Sequence, residues 1–120
     1  MSRILIVDDE GSNQRLFKAL LEAKGYETLQ AYNGPEAVKI AKESAPDLIL
    51  MDIQVPQIDG MAAFKILQSD PLTMNIPVIA LTSYAMSGDR EKFLSFGFRE
   101  YIAKPISIRE FMEVVNSYCS

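Results

Sequence analysis

Histidine is absent from the 120 residues. The chain therefore has no histidine-based catalytic triad, no site for a phosphohistidine of its own, and none of the imidazole ligands on which most zinc sites depend. Cysteine is nearly absent, since Cys119 stands alone; this rules out an intramolecular disulfide and any cysteine-rich metal centre. Beside the C-terminus, that thiol is expected at a frayed helix end. No dense block of lysine or arginine occurs, and twelve basic against sixteen acidic residues leave a formal charge of -4, which speaks against direct nucleic-acid binding. No apolar run approaches the roughly 18 residues of a membrane span, and Ile4-Leu5-Ile6-Val7 is too short for a signal-peptide core. A cytoplasmic chain without membrane association is expected. Low-complexity tracts are missing too, and with 48% hydrophobic and 23% charged residues the composition fits one domain over residues 1–120 with a core large enough to fold without staples.

Four short apolar runs recur: Ile4-Leu5-Ile6-Val7, Leu48-Ile49-Leu50-Met51, Val78-Ile79-Ala80-Leu81 and the weaker Tyr101-Ile102-Ala103. Unalternating and mostly β-branched or leucine-rich, they read as strands covered on both faces. Residues 26–31 alternate more and suit a sheet edge. Helical spacing fills the intervals. Leu16, Phe17, Leu20 and Leu21 form a stripe that Gly25 ends, and Gly34-Pro35 opens a second helix with proline in its first turn. Asp59-Gly60 precedes a third helix with Phe64 and Leu67 inward. Ser87 precedes a fourth with Phe93 and Leu94 inward, closed by Gly97. Ser107-Ile108-Arg109-Glu110 has capping-box spacing before Phe111, Met112, Val114 and Val115. Strand and helix thus alternate five times. Such short connections force parallel pairing and right-handed crossovers, so the predicted fold is α/β, a flavodoxin-like (βα)5 three-layer sandwich with strand order 2-1-3-4-5. Its binding crevice lies beyond the carboxyl ends of the strands, where the order reverses between the first and third.

Polar residues collect at that edge. Val7 is followed by Asp8, Asp9 and Glu10, Met51 by Asp52, Leu81 by Thr82 and Ser83, and Ala103 by Lys104 and Pro105. Two carboxylates about 4 Å apart repel by about 4 kcal/mol at an effective dielectric of 20, so Asp8, Asp9 and Asp52 require a proton or a cation among them. Lys104 supplies one positive charge. An all-oxygen site with room for water and a phosphate suits Mg2+, or Mn2+ by the same logic, better than zinc. Thr82 and Lys104 are donors of the kind a tetrahedral oxyanion needs. Asp52 ends the most apolar strand, which makes it the central acid and the expected nucleophile toward a phosphoryl donor.

Taken in this order and spacing, Asp8-Asp9, residues 51–60 (Met-Asp-Ile-Gln-Val-Pro-Gln-Ile-Asp-Gly), Thr82-Ser83 and Lys104-Pro105 resemble the receiver domain of bacterial two-component response regulators, over essentially the whole chain. Residues 25–29 and 46–56 further resemble stand-alone regulators of the DivK type. The resemblance implies that Asp52 accepts a phosphoryl group from a phosphohistidine on a sensor histidine kinase or phosphotransfer protein. It also implies that Asp9, Asp52 and the backbone carbonyl of Gln54 ligate Mg2+ directly and that Asp8 does so through water. Lys104 would pair with the phosphoryl oxygens, Thr82 would turn inward to bond one of them, and Tyr101 would occupy the position of the switch aromatic. The Lys104-Pro105 bond is cis in relatives. Val55 departs conservatively from a common methionine, while Gln54 and Tyr84 fall at positions that tune phosphoryl lifetime in the family; the bulk of Tyr84 could shield the acyl phosphate.

Output would pass through the fourth helix, fifth strand and fifth helix, residues 87–97 and 101–118, with Phe96, Phe98 and Ile106 as candidate contacts, although core packing is the simpler account of any one of them. The first helix, near residues 13–18, is the family's other docking surface. No helix-turn-helix or second domain follows, so the expected target is another protein, and a chain from Met1 to a closing helix is expected to act independently. Rival chemistries lack their residues. The loop after the first strand is acidic where a flavin phosphate would sit, position 54 is glutamine where an aspartyl phosphatase needs its second aspartate, and no P-loop motif occurs. The remaining alternative is an interaction module of the same fold that phosphorylation does not switch.

Overall fold

The computed structural model of the chain describes residues 2–53, 60–82, 89–103 and 106–119. Its elements follow one another as β1 (Arg3–Val7), α1 (Gly11–Glu22), β2 (Glu27–Ala31), α2 (Gly34–Ser44), β3 (Leu48–Asp52), α3 (Gly60–Ser69), β4 (Val78–Thr82), α4 (Asp89–Phe96), β5 (Glu100–Ala103) and α5 (Ile108–Cys119). All strand pairs are parallel and the order is β2-β1-β3-β4-β5, the predicted topology.

Helices cover both faces because side chains of a strand alternate between them. Leu5, Val7, Ile49, Met51, Val78 and Ala80 face α2 and α3, meeting Ala37, Ala41, Ala63, Phe64 and Leu67. Ile4, Ile6, Leu48, Leu50, Ile79, Leu81 and Ile102 face α1 and α5, meeting Phe17, Leu21, Phe111 and Val115. Each of β3 and β4 is buried throughout, which is why their sequences carry no polar alternation. The edge strand β2 buries only Ala31 completely.

The helix ends follow the predicted punctuation. At Gly25 (φ 89°) the amide of Gly25 donates to the Glu22 carbonyl and that of Tyr26 to Leu21, a Schellman closure. Gly97 (φ 117°) closes α4 the same way, with Gly97 N–H on Leu94 and Phe98 N–H on Phe93. The α2 helix is capped by the Asn33 side chain, which accepts from the Glu36 amide at 2.9 Å, with proline following in the first turn. Glu110 N–H reaches the Ser107 hydroxyl at 3.4 Å, one half of the expected capping box.

Three expectations are corrected. On α1 the buried positions are Gln14, Phe17 and Leu21, whereas Leu16 is 47% exposed; a 3.6-residue period through Phe17 and Leu21 selects position 14 rather than 16. Cys119 is buried against the α1 and α5 cluster rather than frayed, because α5 keeps its inward phase to the end and the Ser2 hydroxyl donates to the Cys119 carbonyl at 3.3 Å. Phe98 takes the core-packing alternative: it is 2% exposed and stacks on Phe64 with centroids 3.7 Å apart. Of the candidate output contacts, Phe96 is exposed, and Ile106 is partly buried against the α1 and α5 cluster. Leu94 is only half-buried, and from Arg90 to Phe96 no α4 side chain is fully covered. Ser87 lies outside the described residues.

Two outcomes follow from this packing. Phe98→Ala should cost about 3–5 kcal/mol in urea unfolding, while Phe96→Ala should stay within about 0.5 kcal/mol. Burial, with the nearby Asp47 charge second, holds the Cys119 thiol above its ordinary pKa. Stability from burying the neutral thiol is therefore present below the ordinary thiol range and lost as pH rises through the raised value. In native buffer Cys119 should react with a disulfide reagent about tenfold or more slowly than in denaturant; equal rates would show the α5 terminus to be open.

Candidate active site

The sheet's register assembles the site. Val7 pairs with Met51, so Asp8, the next residue of the chain, comes level with Asp52. Asp52 is itself the last residue of β3, opposite Leu81, and Thr82 is the last of β4, opposite Ala103. The sequence reading ended both strands one residue earlier; the ladder continues because backbone pairing extends as long as a neighbouring strand offers partners, whatever the side chain. Asp8 and Thr82 are fully buried and Asp52 is 4% exposed, while Asp9 lies exposed beside them. One carboxylate oxygen from each of Asp8, Asp9 and Asp52 lies within 4.8 Å of the others. Three of the predicted residues are thus brought into one cluster.

Local contacts hold the acidic loop in place. The Asp8 amide donates to the Ala31 carbonyl at 3.0 Å, extending the β1–β2 ladder past the end of β1. The Asp8 carboxylate accepts from the Glu10 amide at 2.9 Å and from the Asn13 side-chain amide at 3.2 Å, and Asn13 also donates to the Glu10 carboxylate at 3.1 Å. Behind them the fully buried Gln14 donates to three backbone carbonyls, Ala31 at 2.8 Å, Asp8 at 3.0 Å and Ile6 at 3.2 Å. The sequence reading gave Asn13 and Gln14 no part in this site. Gln14 had a legible signal, a polar residue in helical phase with Phe17 and Leu21, where an apolar one is the rule.

On the other side of Asp52 the chain is confined by a glycine. The Ile53 amide donates to the Leu81 carbonyl at 3.2 Å and the Gly60 amide to the Ile53 carbonyl at 3.1 Å. A Cβ at position 60 would collide with the Ile53 backbone, so the start of α3 can approach the residue after Asp52 only because position 60 has no side chain.

Tyr101 lies on β5 opposite Ala80, two residues before the Thr82 level, so it shares a strand face with Thr82. It is half-buried, and its ring stacks on Phe93 of α4 with centroids 5.3 Å apart. The α4 helix is otherwise tied down by Arg90 on Glu100 at 2.6 Å and by Gln68, which donates to the Phe96 carbonyl at 3.1 Å. Gln54, Val55, Ser83, Tyr84, Lys104 and Pro105, and with them the Lys104-Pro105 peptide bond, lie outside the described residues.

The donor set suits a hard divalent cation. It is all oxygen, two of its three carboxylates are buried, and a formal charge of three negatives within 4.8 Å is compensated by one such ion together with one ammonium. A cation-centred pocket for an anionic group is therefore chemically consistent with the residues present.

Three comparisons agree with this geometry. The family model of the response regulator receiver domain matches residues 4–116. The chain is 48% identical over 115 residues to the polar-differentiation response regulator DivK of Brucella anthropi, covering 96% of this chain and 94% of that one. DivK of Brucella ovis is 47% identical with the same coverage. Among solved structures, the receiver domain of the Francisella response regulator 1452 superposes with a TM-score of 0.91 at 30% identity, covering 98% of this chain and 96% of that one. The receiver domain of the sensor histidine kinase PA1611 from Pseudomonas aeruginosa, solved with a magnesium ion coordinated in its active-site cleft, gives 0.88 at 34% identity with the same coverage. With its 2-1-3-4-5 sheet and its acidic cluster at the carboxyl edge of β1 and β3, the chain belongs to the response regulator receiver domain family.

Proposed function

We propose that this chain is a phosphoacceptor response regulator of a two-component system or phosphorelay, with residues 1–120 acting as one receiver domain. The observation that carries the reading is the convergence of Asp8, Asp9 and Asp52 within 4.8 Å, with Asp52 nearly buried at the end of β3. Asp9, Asp52 and the Gln54 carbonyl hold Mg2+ directly, and Asp8 holds it through water. When bound, the ion neutralises the pocket and withdraws charge from the phosphoryl oxygens.

Asp52 is the nucleophile. One of its carboxylate oxygens forms a bond to phosphorus as the P–N bond of a phosphohistidine on a sensor kinase or phosphotransfer protein breaks, and the electron pair leaves with the imidazole. Thr82 and Lys104 donate hydrogen bonds to the outer oxygens of the transferred group. These contacts exist only in the phosphorylated state, so they bias the chain toward the conformer that makes them. Tyr101 shares the Thr82 face and stacks on Phe93, which supports its role in relaying the change to α4. The α4, β5 and α5 face then binds a downstream protein target. The proposed place of action is the cytoplasm; among the described residues no helix is long and apolar enough to cross a membrane.

Incubation with Mg2+ and acetyl phosphate, or with a phosphorylated kinase where the small donor is slow, should add one phosphoryl group by intact mass. Asp52→Asn should abolish the gain, and chelation of the metal should do the same. An unmodified mass with both donors would favour an interaction module that phosphorylation does not switch. Thr82→Ala should retain the mass gain and lose the phosphorylation-dependent binding of a partner.

A further inference from the structure

The side chain of Gln14 is the most completely enclosed polar group on α1, and its orientation is one-sided. Its amide nitrogen donates to the carbonyls of Ile6, Asp8 and Ala31 at 3.2, 3.0 and 2.8 Å, while its Oε1 atom is buried without a hydrogen-bond partner among the described residues. The reverse orientation would set an oxygen against three carbonyl oxygens, so the amide can sit only one way. A buried acceptor left unpaired is costly and calls for an explanation. The explanation lies in what the donor side grips: the last turn of the ladder between β1 and β2, and the carbonyl of Asp8 itself. Asp8 lies past the end of β1, and its amide is already held on Ala31. With the carbonyl held as well, the two peptide units that flank the Asp8 Cα are each anchored, Val7–Asp8 through its N–H and Asp8–Asp9 through its C=O, and together they set the course along which the two carboxylates leave the sheet.

We propose that Gln14 is a positioning residue for the cation pocket: by clamping the Asp8 carbonyl to the ends of β1 and β2, it aims the Asp8 and Asp9 carboxylates at Asp52. The proposal rests on the reading of this pocket as a Mg2+ site. Asn13, one residue earlier, holds the Asp8 carboxylate from the solvent side, so the first turn of α1 controls both the backbone and the side chain of this acid. A partner of this kind behind the ligands of a metal changes affinity about 10- to 100-fold when removed.

The test is titration of the full chain with MgCl2, followed by calorimetry, with melting temperature measured in parallel. Gln14→Met keeps the volume and removes the donors; it should raise the Mg2+ dissociation constant about tenfold or more at a temperature where circular dichroism shows the variant folded. Val115→Ala, buried between α5 and the sheet, should lower the melting temperature without moving the dissociation constant, which separates aim from stability. Wild-type Mg2+ binding with an unchanged constant in Gln14→Met overturns the positioning role alone. Absence of binding by the wild type overturns the metal reading and this inference with it. If Gln14→Met does not fold, the wild-type side-chain amide protons of Gln14 decide by NMR: they should shift as Mg2+ saturates the site, and stationary signals beside moving Asp9 and Asp52 amides overturn the proposal.

Discussion

Mutual repulsion among carboxylates at one edge of a rigid sheet is the constraint around which this molecule is organised. Two of the three acids, Asp8 and Asp52, are almost entirely removed from water and lie in the protein interior, where like charges repel more strongly than in solvent. They cannot relax apart by moving their backbones, because β1 and β3 are paired in register up to the residues concerned and Asp8 is additionally held on Ala31. The crowding of these carboxylate oxygens is therefore built into the folded state, and the proposed cation would relieve it.

The stiffness is distributed unevenly. Strands β3 and β4 are buried from end to end, and α3 presses on the residue after Asp52 through a position that only glycine can fill. On the opposite flank, α4 has no fully covered side chain between Arg90 and Phe96, and its contacts among the described residues include the half-buried Phe93, the Arg90–Glu100 ion pair and the Gln68 amide on the Phe96 carbonyl. Elements held by so few buried contacts occupy the low-stability end of a structure, where a small change in free energy can shift a conformational equilibrium. The difference between these flanks matches a division of labour between a chemical centre and a responsive surface. Phe93 touches both sides of it, since its ring meets Tyr101 as well as Phe96 and Phe98.

Much of this was legible in the residues. Apolar tetrapeptides such as Leu48-Ile49-Leu50-Met51 have no polar face and so demand cover on both sides. Gly25 and Gly97 stop helices because they accept the left-handed conformation. Acids directly after such strands had to meet, once parallel pairing was granted. The errors share a cause. Hydrophobicity alone points Leu16 inward and leaves Gln14 out, while the observed phase, with Gln14, Phe17 and Leu21 buried, is set by how α1 docks on the sheet. Cys119 is expected at a fraying end, yet it is buried by segments distant in sequence, Ser2 and the Phe17 cluster, and it is Phe64 that decides for Phe98 between core and surface.

By itself the sequence determined the alternation of five strands and five helices, the parallel order of the sheet, and the residue types collected at its carboxyl edge, because each of these follows from local periodicity and short connections. Only the tertiary structure decided which acids lose their water, how near their oxygens come, and that a buried glutamine of α1 grips the Asp8 carbonyl. Those are consequences of register and docking between segments far apart in the chain, and distances between such segments are set by the packing of all of them at once rather than by any stretch of residues.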